Sequence, residues 1–490
     1  MTANPILRGM YPDPSVCRVD GRYYLANSTF EYLPGIPIHT STDLAEWTLA
    51  GHAIHDPQQF DYDEVGDSRG MFAPTIRHHD GLFYVACTQM DGGSVNGNFY
   101  VTAPDVAGPW SRPVLLPDAR GIDPSLFFHE GRAWWTGCRE VADQAFDGET
   151  EVWMRELDLE RGELVGDELV IWTRTQYRAV WAEGPHLYHR NGWFYLLTAE
   201  GGTSFEHSVM IARSRDLHGP YLPCPRNPVL THRHLGHGVE VQDVGHADLV
   251  EGDDGQWWMV VLATRPLDGH TVLGRETHVA RVDWEDDWPV VNPGLGRLEA
   301  PRAREGQWGS AGVPSASDFL SVRGFATFAE QTEAGLRLRS TGADPASSSP
   351  VAALLRRLSS TECTVSVTLG SRDPEAVAGL VLRQSSSTHV RLELAASNAS
   401  LVARDGGDTV LASAPVPDGP LTLTASVSRS GVAWSVSSRD AAPTALGSTP
   451  LSALSTETAG GFVGTTFGPW VSGPEGASVL LLAWAQDDRA

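Results

Sequence analysis

One twelve-residue pattern recurs five times in the first half of the chain: a small polar or acidic start, an apolar stretch, a Gly-containing turn and an aromatic stretch. The copies begin at Asp13, Ala73, Asp123, Glu183 and His246, and the first reads Asp13-Pro-Ser-Val-Cys-Arg-Val-Asp-Gly-Arg-Tyr-Tyr. The anchor positions Pro14, Pro74, Pro124, Pro185 and Ala247 lie 60, 50, 61 and 62 residues apart. Two short strands joined by a Gly turn make a β-hairpin. A hairpin that returns every 50 to 62 residues suits one four-stranded propeller blade per repeat. A solenoid is the rival arrangement, but hairpins this aromatic pack better around an axis. The repeat therefore predicts an all-β chain with a five-bladed β-propeller over residues 1–295.

Composition changes beyond that point. All 11 tyrosines lie at or before Tyr221, and only Trp308, Trp434, Trp470 and Trp484 of the 16 tryptophans follow residue 300. A Pro/Gly-rich stretch between Pro293 and Pro314 predicts a linker over 296–314. After it come period-two segments starting at Thr364, His389 and Leu421 and an apolar run from Val479 to Trp484, the pattern of an antiparallel β-sandwich over 315–490.

The propeller geometry turns the repeat into chemistry. The innermost strand of each blade begins near the axis, so equivalent positions converge in one funnel. Asp13 and Asp123 occupy that position directly, Glu183 is offset by one residue, His246 comes from the fifth copy and Ala73 from the second. Acidic residues are poor strand formers, and three at equivalent sites repel one another unless function keeps them there. An Asp before Pro is usually only a turn residue; two of them at equivalent sites, with Glu183 one residue off in a third copy, argue otherwise.

The rest of the composition narrows the chemistry. Net charge is −25, from 36 basic and 61 acidic residues. Such a surface repels phosphate backbones and anionic membranes, so neither nucleic acid nor membrane is an expected partner. The chain has no lysine, which excludes Schiff-base and P-loop chemistry. Any fixed cation in the funnel other than histidine must be an arginine. Five scattered cysteines without CxxC spacing suggest neither a disulfide framework nor a zinc ribbon. The stretch His232–Asp248 holds several His and acidic residues but lacks metal-site spacing; it reads as a solvated polar loop, and no catalytic metal is expected. With no secretory pattern at residues 1–5 and no apolar run of about 20 residues, the expectation is a cytoplasmic protein. Nothing in the sequence specifies its oligomeric state.

Three carboxylates in a funnel suit glycoside hydrolysis. That reaction needs a protonated carboxylic acid at the leaving oxygen and a carboxylate across the sugar, with the acid's pKa raised by its surroundings. These residues resemble glycoside hydrolase family 43, whose five-bladed members include β-xylosidases and α-L-arabinofuranosidases. The opening Asn4-Pro-Ile-Leu-Arg-Gly-Met-Tyr-Pro-Asp-Pro-Ser is similar to the segment carrying that family's general base, which implies the role for Asp13. Gly121-Ile-Asp-Pro-Ser-Leu-Phe is similar to the segment of the pKa-modulating aspartate, implying Asp123. Ala182-Glu-Gly-Pro-His-Leu-Tyr resembles the general-acid segment, implying Glu183. The motifs around Gly245-His-Ala-Asp and Leu273-Gly-Arg-Glu-Thr imply that His246 and Arg275 line the sugar pocket. Ser28-Thr-Phe-Glu-Tyr-Leu-Pro-Gly implies Phe30 as an aromatic wall.

Phe72-Ala-Pro stands where many xylosidases of the family have Trp-Ala-Pro, so that wall is smaller. The family's concanavalin-like sandwich often sends an aromatic over the site. The related stretch here is Gly461-Phe-Val-Gly-Thr-Thr-Phe-Gly-Pro-Trp; one register puts Thr466 at the usual aromatic position with Phe467 beside it, and the choice between Phe467 and another sandwich residue stays open. No cofactor is implied, and a structural calcium in the propeller channel is compatible with the family. The resemblance thus implies an exo-acting, inverting enzyme that removes terminal xylose or arabinose from short oligosaccharides. Two rivals are a retaining fructosidase-like hydrolase, whose Asn-Asp-Pro-Asn-Gly and Glu-Cys-Pro strings are missing here, and a non-catalytic sugar-binding propeller, which gives no reason for three axial acids.

Overall fold

A computed structural model describes residues 4–488 apart from 61, 63–64, 92–95, 175–178, 300–306, 310–313 and 440. Much of the expected linker 296–314 lies outside the described residues.

Five antiparallel sheets follow in chain order; four are four-stranded meanders, and the second carries an extra short strand, Gly70–Met71, that pairs with Leu82–Met90 beside Thr75–His79. Blade 1 is built from Ser15–Val19, Arg22–Ala26, Gly35–Ser41 and Thr48–Ile54, and blade 5 from Gln242–Glu251, Trp257–Thr264, Glu276–Glu285 and Trp288–Val291. The repeat supplies the inner hairpin of every blade. In the first four the turn is a two-residue pair with both φ angles positive: Asp20-Gly21, Asp80-Gly81, Glu130-Gly131 and Asn191-Gly192. Paired positive φ is the type I′ geometry, whose twist matches that of the flanking strands, so these residues set the hairpin register. The ring is closed at the N-terminus. Asn4 exchanges side-chain hydrogen bonds with the backbone of Val279 at 2.9 and 2.8 Å, and the Ile6 N–H donates to the Thr277 carbonyl at 2.9 Å.

Along the axis the repeat places one polar residue per blade immediately after each anchor: Ser15, Thr75, Ser125, His186 and Asp248, all buried. Apolar packing cannot satisfy such a ring, so it needs internal partners. The Arg77 guanidinium supplies them, donating to Asp248 at 2.8 and 3.2 Å, to Ser15 Oγ at 3.2 Å and lying 3.0 Å from His186 Nδ1. Ser15 and Tyr188 also donate to Asp248, at 2.7 and 2.5 Å, and Ser125 Oγ lies 3.0 Å from His186 Nδ1. All five blades thus contribute to one buried network.

The C-terminal strands form two eight-stranded sheets over a shared core that includes Leu354, Val367, Leu380, Leu423, Phe467 and Leu481. The period-two segments fall in Cys363–Arg372, Thr388–Ala395 and Leu421–Ser428, and the apolar run in Ser478–Asp488. One sheet crosses between the domains: Tyr32–Leu33, from a connection inside blade 1, pairs with Leu320–Val322. Beside it Asp67 of the propeller accepts from Arg323 and Arg383 at 2.6 Å each, and Arg383 also reaches Glu31 at 3.2 Å. The sandwich is therefore fixed to the rim of the funnel. All five cysteines are buried free thiols.

Candidate active site

The three predicted carboxylates and His246 meet at one end of the axis. Backbone conformation puts them there. Asp13, Asp123 and His246 all have left-handed φ, at 53°, 54° and 47°, an uncommon state for residues other than glycine. Strand register slips between Ile122 and Ser125 and between Gly245 and Ala247. In blade 4 a matching slip lies between Glu183 and His186, but there the left-handed residue is Gly184, at φ 56°. These bulges aim the side chain before each anchor into the funnel. They also explain the one-residue offset of Glu183. The anchor-adjacent position in blade 4 must be glycine, because a Cβ there would sit 3.0 Å from the His246 ring.

Asp13 is buried and accepts from Ser28 Oγ at 2.6 Å and Arg275 Nη1 at 2.9 Å, with His246 Nδ1 at 3.9 Å. Burial alone would push its carboxyl up; Arg275, His246 and the Ser28 hydroxyl outweigh it and hold Asp13 below the usual carboxylate range. Asp123 is buried too and accepts from the Gly184 N–H at 3.1 Å, so it grips the backbone beside Glu183. Burial raises its carboxyl; His246, the Gly184 N–H and Arg275 partly offset that rise, and Asp13 adds to it. Glu183 is pushed up furthest, by burial and then by the negative charges of Asp123 and Asp13, with only Arg275 opposing. Within one funnel, then, the surroundings favour the ionised form of one carboxyl and the protonated form of another.

Phe30 and Phe72 stand edge to face with centroids 5.4 Å apart. The third wall comes from the sandwich and is Phe462, at 6.0 Å from Phe30 and 6.1 Å from Phe72. This decides between the residues the sequence left open: Phe467 is buried in the sandwich core, and the Thr466 hydroxyl bonds the Arg383 carbonyl at 3.2 Å. The strand Thr466–Ser472 begins too late to reach the funnel, whereas the loop before it does. Arg275 lies 5.6 Å from both the Phe30 and Phe462 ring centroids, and its Nη1 also donates to Thr203 Oγ1 at 3.1 Å.

Ser28, Thr203, His207 and Phe462 were not singled out from the sequence. None occupies a repeat-equivalent position, which is why the repeat could not find them. Ser28 lay inside a motif already quoted for Phe30. His207 is buried against Gly245, where a Cβ would fall 2.3 Å from its ring, and burial first of all pushes its pKa down to about 3, so it is a neutral neighbour. His232 is also no part of a solvated loop: it is buried, its Nδ1 2.7 Å from the Val241 carbonyl and its Nε2 accepting from the Leu298 N–H at 2.9 Å.

Among the described residues no group of three or more His, Cys, Asp or Glu is arranged to hold a metal ion. In the channel, calcium would need six or more oxygen ligands. The Asp248 oxygens there are already taken by Arg77, Ser15 and Tyr188, so this residue set does not fit that ion.

Comparison with known proteins agrees with this arrangement. Residues 2–289 match the model of glycosyl hydrolases family 43, and residues 310–480 match the β-xylosidase C-terminal concanavalin A-like domain. A xylosidase/arabinosidase of Butyrivibrio fibrisolvens is 51% identical over 300 residues, 60% of this chain and 57% of that protein. A non-reducing end α-L-arabinofuranosidase of Bacteroides ovatus is 42% identical over 291 residues, 59% of this chain and 53% of that protein. The matched stretch thus spans little more than half the length of these curated relatives. The crystal structure of a xylan β-1,4-xylosidase from Bacillus halodurans superposes over the full length of both chains, with a TM-score of 0.90 and 28% identity. With axial carboxylates on a five-bladed propeller, an aromatic delivered by a sandwich and a family model matching more than half of its length, the chain belongs to glycosyl hydrolase family 43.

Proposed function

We propose that the protein is an exo-acting, inverting glycosidase that releases terminal xylosyl or arabinofuranosyl units from short oligosaccharides. The observation that carries this reading is the arrangement of the acids beside three clustered phenylalanines: Asp13 is held by Arg275 and Ser28, which favour its ionised form, while Glu183 stands next to the Asp123-bound Gly184 with the Asp123 and Asp13 charges favouring its protonated form. Asp13, ionised, takes the proton of a water that attacks the anomeric carbon. Glu183, protonated, gives its proton to the departing oxygen. Asp123 keeps Glu183 protonated through its negative charge and orients it through the Gly184 N–H. Arg275 steadies the Asp13 carboxylate and offers its remaining donors to sugar hydroxyls. The phenylalanine faces pack against the pentose ring. The names of the relatives, xylosidase/arabinosidase and α-L-arabinofuranosidase, support both sugars.

The test is a panel of aryl β-xyloside, α-L-arabinofuranoside and hexoside substrates, with the first-formed anomer followed by proton NMR. Turnover of a pentoside with inversion is expected. Retention of configuration overturns the inverting assignment, and sugar binding without turnover would favour a lectin.

A further inference from the structure

The Phe462 wall is covalently part of the sandwich, yet the groups that hold its backbone belong to the propeller. Its N–H donates to Ser68 Oγ at 2.9 Å, and its carbonyl accepts from Arg275 Nη2 at 3.4 Å. The residue before it sits so close that a Cβ on Gly461 would fall 2.2 Å from Ser68 Oγ, and Gly461 has a φ of 79°. Ser68 is itself fixed. It is a buried non-glycine residue at φ 57°, a conformation that persists only when its surroundings impose it.

The surroundings are the interdomain ion cluster. The Ser68 N–H donates to Glu31 Oε2 at 3.0 Å, and Glu31 Oε1 pairs with Arg383, which pairs with Asp67, the residue before Ser68. Asp67 also accepts from Arg323 and from the Ser386 N–H and hydroxyl. Glu31 follows Phe30 in sequence. Of the three phenylalanines, Phe30 is therefore one covalent step from this cluster and Phe462 is joined to it through Ser68 alone.

We infer that Ser68 is a positioning residue: its hydroxyl couples the Glu31–Arg383–Asp67–Arg323 cluster to Phe462 and so sets the third wall of the sugar pocket. This rests on the proposed pentosidase reading for its kinetic consequence but not for its structural one. Ser68→Ala removes a single hydrogen bond and leaves the cluster's charges in place, so the fold should survive.

Two measurements test the coupling. In the first, hydrogen exchange is followed by mass spectrometry in the free protein. Ser68→Ala should speed exchange in the segment around Phe462 and leave the sandwich strands Cys363–Arg372 and Leu421–Ser428 unchanged. Unchanged exchange near Phe462, or loosening of the whole sandwich, overturns the inference. In the second, KM and kcat are measured for Ser68→Ala, Phe462→Ala and the double variant on whichever aryl pentoside the wild type cleaves. Ser68→Ala should raise KM about fivefold, the size of one net hydrogen bond, with kcat changed less. The double variant should match Phe462→Ala alone, because Ser68 acts through that ring. Additive effects refute the coupling. A wild type that cleaves no pentoside refutes the functional reading instead, and the exchange measurement still decides this one.

Discussion

Replacing Arg77 with methionine removes the cation at the propeller axis while keeping an aliphatic stem of similar reach. Arg77 Nη1 donates to Ser15 Oγ, the Val16 and Ile76 carbonyls and Asp248 Oδ2, and Nη2 contacts Asp248 Oδ1 and His186 Nδ1. The Asp248 side chain has no solvent exposure, so it is left as a buried carboxylate. It keeps the Ser15 and Tyr188 hydroxyls and the Val16 and Leu249 N–H groups. Breaking a buried ion pair costs roughly 3–5 kcal/mol. Because four donors remain, we place Arg77→Met near about 3 kcal/mol, the low end of that range. At roughly 2.1 cal/mol/K of unfolding entropy per residue, a propeller of about 290 residues should show its transition fall by about 5 °C in calorimetry.

The sign of the pH dependence adds a second check. In the wild type the Asp248 carboxyl is displaced upward by burial but held well below its ordinary value by Arg77 and its hydrogen bonds. Its contribution is therefore present above about pH 3.9 and is lost as the pH falls. Without Arg77, burial raises that carboxyl, so the penalty exists at pH 7 and fades as the pH falls through the raised value. The gap between wild type and variant should thus narrow between pH 7 and pH 4. A variant melting within about 2 °C of wild type at pH 7, or a gap independent of pH, would refute the claim that this pair holds the blades together.

Other outcomes follow from the funnel. The pH profile of kcat/KM should be bell-shaped: activity is lost as the pH falls through the depressed Asp13 value and again as it rises through the elevated Glu183 value. Glu183→Gln should abolish the alkaline limb. Glu183→Ala should spare aryl glycosides with good leaving groups relative to natural substrates, whereas Asp13→Ala should abolish turnover of both, as read by initial rates. Gly184→Ala should cost at least tenfold in kcat/KM, because its Cβ meets the His246 ring at 3.0 Å from a left-handed backbone.

The sequence shows some of this site plainly because part of it is local. A two-residue turn such as Asp20-Gly21 carries its own geometry, and three of the five copies place an acid, Asp13, Asp123 or the offset Glu183, within one residue of the same distance from that turn. Repetition then does what a single motif cannot, bringing Asp13, Asp123 and Glu183 to a common point through blade symmetry. The same alignment also contained the axial ring of Ser15, Thr75, Ser125, His186 and Asp248. Its cation was legible too: Arg77 stands where the other copies carry Cys17, Phe127, Tyr188 and Val250. That substitution of a charge into an otherwise apolar or aromatic position marks a buried pair.

What stayed hidden has a different physical origin. Phe462 and Ser68 meet across 394 residues, and no periodicity relates a sandwich loop to a rim segment of blade 1. The stretch Gly461–Trp470 offers both Phe462 and Phe467, and only the fold separates them: five positions beyond Phe462 the chain already belongs to a strand, with Phe467 in the core. The asymmetry carries a functional meaning. In the proposed mechanism the repeat furnishes the acids that move protons, at or one residue from equivalent positions, while the phenylalanines come from a connection inside blade 1, the segment leading into blade 2 and the second domain. A change of sugar preference in this chain can therefore come from the loop bearing Phe462 or from Phe72 without touching the axial carboxylates.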